Sequence, residues 1–248
     1  MDTLFHVCRV RRRENESGET LKSTIVAMLK KLLSYIIPIT VHKQKSAINK
    51  SIDVVLRGGR LVLDTPNTNY SYGSLQRILR LGLRKIGFSE VQKMQNILVL
   101  GLAGGSVVKT LVDEVGYTGK ITAVDIDAEI VSVAKTYFNL GKISNLEIVI
   151  DDAQQFVQKT KSKYDLIIID IFQDDMMPEF LFSQKFINQA LSLLTSNGKI
   201  LFNTMKNNKK QAQRNADFIE FCQQTNFVKV ISNVKGSNEL IIISKEEK

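Results

Sequence analysis

The stretch Asn96-Ile-Leu-Val-Leu-Gly-Leu-Ala-Gly-Gly-Ser106 constrains the fold more than any other part of the 248-residue chain. Ile97 to Leu100 is a short unbroken apolar run, the composition of a strand buried on both faces of a parallel sheet. Gly101, Gly104 and Gly105 then permit a sharp turn and let a ligand approach bare backbone. From Ser106 the period changes, and Val107, Val108, Leu111, Val112 and Val115 share one face of a helix. Strand, glycine turn and helix N-terminus leave unpaired N–H groups and a positive dipole end facing whatever binds there.

Taken alone, this is equally a tight strand-to-helix turn, because the spacing is G-x-A-G-G and not G-x-G-x-x-G. The next strand, Lys120 to Val124, tips the balance toward a nucleoside cofactor. It ends in Asp125-Ile126-Asp127, about 20 residues after the loop, where nucleotide-binding sheets place an acid for the ribose hydroxyls.

From residue 96 onward, strands and helices alternate. Strands are predicted at Ile97–Leu100, Ile121–Val124, Leu146–Ile150, Leu166–Ile169 and Lys199–Phe202. Helices are predicted at Ser106–Val115, Ala128–Phe138, Ala153–Thr160, Phe182–Leu194 and Lys209–Gln224. This alternation predicts a Rossmann-like, doubly wound α/β sheet. The last two strands, Phe227–Val234 and Leu240–Ile243, are joined by only five residues, too few for a parallel crossover, so they pair antiparallel. The expectation is a mostly parallel seven-stranded sheet that ends in an antiparallel hairpin.

Ahead of the sheet, apolar residues at Leu21, Ile25, Met28, Leu29, Leu32 and Ile36 predict an amphipathic helix from Leu21 to Ile37, stopped near Pro38. Lys30 and Lys31 interrupt it, which excludes a transmembrane span. Ser51–Leu56 and Arg60–Leu63 around Gly58-Gly59 read as a β-hairpin, followed by a loop at Asp64–Asn69 and a helix carrying Leu75, Ile78, Leu79, Leu83 and Ile86. Residues 1–20 lack periodicity and are expected to be a disordered basic tail, leaving 21–70 as an N-terminal helix and hairpin and 71–248 as the cofactor domain. Two strands alone are marginal in water, so the hairpin and helix are expected to cover their apolar faces with a second copy, giving a homodimer.

Composition narrows the chemistry. The only histidines are His6 and His42, both ahead of the glycine loop, so neither a histidine base nor a metal centre is expected. Cys8 and Cys222 lack redox or metal spacing and fit unpaired thiols of a cytoplasmic protein. The net charge of +9 is concentrated in residues 1–60, with twelve Lys and Arg against five Asp and Glu, and is not interleaved with aromatics as a nucleic-acid surface would be.

Acidic residues recur at successive strand ends: Asp125 and Asp127, then Asp151-Asp152-Ala153, then Asp170 leading into Ile-Phe-Gln-Asp-Asp-Met-Met-Pro178. One such Asp is usually a helix cap, but open α/β sheets bind ligands at strand C-termini, and several in succession point to a site. This order of motifs resembles the class I S-adenosylmethionine-dependent transferase fold and, over about residues 59 to 205, the spermidine synthase family and its spermidine-synthase-like relatives.

The resemblance implies S-adenosylmethionine or its decarboxylated form held by Gly101, Ala103, Gly104, Gly105, Asp125, Ile126, Asp152 and Ala153. It implies catalysis by Asp170, which would hold and deprotonate an attacking amine, with Tyr72 near the substrate and a substrate loop at Gln173 and Asp174. Family members that act on polyamines carry D-S-S-D-P-x-G-P, whereas here the second aspartate falls on Gln173 and an acidic pair before the tyrosine falls on Thr68-Asn69. A dicationic amine needs carboxylates at both ends. Methyl transfer to a small, amine-type acceptor is therefore favoured at this stage over aminopropyl transfer. A nucleoside-binding protein without turnover is the third reading.

Overall fold

The computed structural model describes residues 24–48, 51–65, 69–71, 74–172 and 176–245. Its centre is a seven-stranded sheet built on β5 (Asn96–Leu100). Parallel to β5 run β6 (Lys120–Asp125) and β7 (Leu146–Ile150) on one side, and β8 (Tyr164–Ile169) and β9 (Leu194–Met205) on the other. The final strands β11 (Asn238–Lys245) and β10 (Asn226–Val234) close that side antiparallel, so the order is β10-β11-β9-β8-β5-β6-β7. The doubly wound sheet with its antiparallel end is the architecture that the alternation of runs predicts.

Alternation along β5 explains the layers. Ile97 and Val99 point into one core with α2 (Ser74–Ile86), α4 (Ser106–Lys109) and α5 (Ala128–Tyr137). Leu98 and Leu100 point into the other with α6 (Ala153–Lys159), α7 (Gln184–Ser192) and α8 (Lys209–Gln223). All four β5 side chains are fully buried, each contributing about 1.5–3 kcal/mol over exposure. The helices start where short polar side chains cap them: Asp127 accepts from Glu129 and Ile130 N–H, Ser183 from Phe186 N–H, and Asn208 from Gln211 N–H.

Two local differences from the sequence reading have physical causes. The predicted helix Ser106–Val115 is α-helical only through Lys109 and then widens into a π turn, Thr110–Val115. The Thr110 hydroxyl donates back to the Ser106 carbonyl, and β-branched neighbours crowd the turn. A short helix, α3 (Phe88–Lys93), also follows α2.

The N-terminal region is larger than one hairpin. The predicted strands are β2 (Ser51–Arg57) and β3 (Arg60–Asp64), flanked by β1 (Ile39–Lys45) and the short β4 (Asn69–Ser71) in a four-stranded antiparallel sheet. The loop expected at Asp64–Asn69 is thus shorter, since Asp64 ends β3 and Asn69 opens β4. Ile52, Val54 and Leu63 of this sheet pack on Ile130 and Val133 of α5 and on Phe138. The apolar face of the hairpin is thus covered by the chain itself, whereas the apolar stripe of the helix that was expected to pack with it on a second copy is exposed. Ser46 adds a 2.5 Å hydrogen bond to the α5 cap, Asp127. Residues 24–33 form a helix, α1, shorter at its C-terminal end than predicted because turns begin at Ser34. The expected tail at residues 1–20 lies outside the described residues.

Candidate active site

The switch in strand order falls between β5 and β8, the place where open α/β sheets leave a crevice at their strand C-termini. Across it lie, in order, Asn203 on β9, Asp170 after β8, the glycine loop after β5, Asp125 on β6, and Asp151-Asp152 after β7. Parallel ladder bonds hold the tips in line: Asp170 N–H donates to Leu100 O and Gly101 N–H to Val124 O, both at 2.9 Å.

Gly101 sits in the left-handed region at φ 91°, and an added Cβ would collide with the backbone carbonyl oxygen of Asp170. The glycine that opens the loop therefore lets two neighbouring strand tips touch. Gly105 is also left-handed, at φ 77°, and a Cβ there would meet the end of the Leu140 side chain. Gly104 is buried. Ala103 holds the left-handed conformation at φ 45° without being glycine, a strained position of a kind that concentrates at binding loops.

Asp125 keeps the loop in this shape. Its Oδ2 accepts from Leu102 N–H at 2.9 Å and Ala103 N–H at 3.0 Å, and its Oδ1 accepts from Asp127 N–H at 3.0 Å. Burial raises its pKa, and these three donors work against that rise. A carboxylate has about four acceptor positions, so Oδ1 retains capacity for a ribose hydroxyl. Beside it Ile126 is 45% exposed, an apolar surface at the rim where a flat base can lie. Asp152 caps α6 by accepting from Gln155 N–H at 2.9 Å, the ordinary use of such a residue, and Ala153 is buried behind it. The sequence-read cofactor residues thus share one edge of the sheet and fit a nucleoside there.

Asp170 is partly buried. Burial pushes its carboxyl up to about 6, against a hydrogen bond that lowers it, from Asn203 Nδ2 to Oδ1 at 2.8 Å. Asn203 is itself fully buried and oriented by Asn238 Nδ2, which donates to its Oδ1 at 3.0 Å. Sequence reasoning missed this pair. The signal available was an Asn inside the apolar run Ile200-Leu-Phe-Asn203, a place where a polar side chain has to find a partner. Replacing Asn203 with Leu is expected to move the ionisation midpoint of Asp170 further up. A hydrogen bond to a charged group is worth about 1.5–3 kcal/mol, or roughly one to two pH units. Carboxyl-carbon NMR titration reads this directly, and an unmoved midpoint would remove Asn203 from the site.

Beyond Asp170, Tyr72, Gln173 and Asp174 lie outside the described residues. Where the chain is next described, Met177 is buried and Arg214 of α8 reaches it. The Arg214 guanidinium stacks 3.7 Å over the Phe182 ring and donates to the Met205 carbonyl at the tip of β9. It ties Met177 and Phe182, in the segment that leads into α7, to the sheet, a second contact the sequence did not announce. Among the described residues, no cluster of His, Cys, Asp and Glu is arranged to hold a metal ion. Cys222 is buried and unpaired, and His42 stacks on Tyr137 away from the strand tips.

This strand order, with acids at the tips of a parallel sheet closed by an antiparallel hairpin, defines a Rossmann-like fold of the methyltransferase type. Spermidine synthase from Thermotoga maritima superimposes with a TM-score of 0.65 at 17% identity, covering 84% of this chain and 74% of that one. The chain belongs to the spermine/spermidine synthase domain family, whose model matches residues 78–235. A polyamine aminopropyltransferase of Vibrio vulnificus (strain CMCP6) is 30% identical over 129 residues, 51% of this chain and 43% of that one. An N-terminal histidine N-methyltransferase of Emericella nidulans is 29% identical over 164 residues, 61% of this chain and 28% of that one. The chain spans less than half of the length of these curated relatives.

Proposed function

We propose that the protein is a transferase that binds a sulfonium nucleoside, S-adenosylmethionine or its decarboxylated form, across the tips of β5, β6 and β7, and passes a carbon group to an amine-type nucleophile held at Asp170. The observation that carries this is the contact of Gly101 with the Asp170 backbone at the switch point, which sets the cofactor loop and the carboxylate side by side. When bound, the sulfonium supplies a carbon already attached to a good leaving group.

What the chain has to contribute is alignment and a proton acceptor. Asp125 holds the ribose edge and Ile126 the base. Asn203 occupies one oxygen of Asp170, leaving the other to accept a hydrogen bond from the incoming nucleophile and to take its proton. With its pKa near 6, Asp170 is ionised at neutral pH yet close to the range in which a carboxylate serves as a base.

Aminopropyl transfer is the first reading, supported by curated relatives named as polyamine aminopropyltransferases. Methyl transfer is the second reading, favoured by Gln173 and Thr68-Asn69, which in the sequence motif replace acids that family members acting on polyamines carry. Calorimetry with S-adenosylmethionine, its decarboxylated form and NAD is expected to give binding of a sulfonium nucleoside and none of NAD; binding of NAD alone overturns the proposal. Incubation with putrescine and the decarboxylated cofactor then separates the two reactions, since spermidine formation supports the first, and turnover of S-adenosylmethionine alone supports the second.

A further inference from the structure

We propose that α1 is an interfacial helix that lays its apolar side on an anionic lipid surface. Every residue of this helix is exposed. At 3.6 residues per turn, Ile25, Val26, Met28, Leu29, Leu32 and Leu33 fall within one arc of about 160°, with Lys30 and Lys31 just beyond its two margins and Ser34 opposite. A surface helix ordinarily turns such an arc toward the core. Here the helix is held the other way round.

The contact that fixes it is on the polar side. Ser34, only 2% exposed, accepts from Gly59 N–H on its Oγ at 2.9 Å, and its carbonyl accepts from Gly58 N–H at 2.8 Å, so the end of α1 is clamped to the β2–β3 turn. Tyr35 lies against Gly59, where a Cβ would meet the phenol oxygen at 2.5 Å. The apolar arc therefore faces away from the body, with Leu32 65% exposed and Ile36, just beyond the helix, 82% exposed. No described helix is long and apolar enough to cross a membrane, which leaves lying in the interface as the geometry for a lipid contact.

Charge selects the occupant. Between Thr20 and Ile52 the sequence holds six lysines and no Asp or Glu. Of these, Lys43 on the neighbouring β1 pairs with Asp53 at 3.2 Å, while Lys30 and Lys31 flank the apolar arc. A second copy docking by the same face would bring lysines against lysines with no acid in the segment to receive them. An anionic membrane supplies both the apolar layer and the counter-charge.

The test is flotation of the full chain with phosphatidylcholine vesicles, with and without phosphatidylserine, alongside light scattering. Binding to the anionic vesicles is expected, weakened by high salt, and lowered about fivefold for each of Lys30→Gln and Lys31→Gln. Leu29→Asp is expected to abolish it while leaving thermal melting and nucleoside binding unchanged. Three results would overturn the proposal: no binding to either vesicle; binding that Leu29→Asp does not reduce; or a dimer in solution that Leu29→Asp dissociates, which would assign the face to a second copy.

Discussion

The Asp170→Asn protein is expected to melt at a higher temperature than the native chain at pH 7.5, while losing transfer. Burial pushes the Asp170 carboxyl up to about 6 from its ordinary 3.8, so the folded state holds the proton more tightly than the unfolded chain does. The stabilisation due to protonation is then fully present below about pH 4 and is lost as the pH rises through about 6. At neutral pH the fold carries an ionised carboxylate where charge is disfavoured. That cost is at most about 3 kcal/mol, and nearer 2 because the residue is only partly buried. Asn keeps an oxygen for Asn203 and removes the charge.

A gain of several degrees follows for a chain of this size, shrinking as the pH falls toward 4. Loss of a positioned proton acceptor lowers turnover by roughly 10²–10⁴. Scanning calorimetry at pH 4, 6 and 7.5 checks the first part. A variant that melts at or below the native temperature at pH 7.5 would show that Asp170 is not a strained acid. The variant should also still bind the nucleoside, which separates loss of chemistry from loss of the site.

Gly101→Ala is expected to be the most damaging single substitution in the glycine loop. The new Cβ meets the Asp170 carbonyl oxygen, with its carbon and Ile171 close behind. Neither tip can withdraw cheaply, because the Gly101 and Asp170 N–H groups are committed to Val124 and Leu100. Over-packing of this kind costs about 1–3 kcal/mol and the left-handed backbone about 1–2 more. Nucleoside binding is expected to fall with stability, since the displaced atoms are the floor of the site. Gly58→Ala is the control: at φ 56° it too has a left-handed backbone, but nothing lies within 4 Å of the added carbon. Equal melting temperatures for the two variants would mean that the contact at the switch point carries no weight.

Much of this was legible before any coordinates. The runs that became β5 and β8 hold uninterrupted apolar stretches of strand length, those that became β6 and β7 are broken by a single polar residue each, Asp127 stands where a helix cap is needed, and the short link before β11 forces the antiparallel end. The acids that line the strand tips followed from that topology. What stayed hidden depends on partners distant in sequence. β1 reads Ile-Thr-Val-His-Lys-Gln-Lys, too polar to announce a strand, and β4 is three residues long; both exist because β2 and β3 provide edges to pair with. The cover of the N-terminal sheet is α5, some 80 residues away, a pairing that periodicity does not encode. Asn203 meets Asp170 only because the β8–β9 register sets Ile169 opposite Phe202. The resemblance pointed to Asp170 as the candidate acid; the amide that orients it came from the register.

The bonds from Leu102 and Ala103 to Asp125 brace the glycine loop, the cofactor loop of the proposed function, before any ligand is bound. The conformational entropy of ordering those residues is spent during folding, so a ligand meets a rigid mould and gains affinity that a loop folding on arrival would consume. It also couples two readouts. A substitution at Asp125 removes the brace as well as the ribose acceptor, so a weakened affinity there reports the collapse of the mould and the lost contact together.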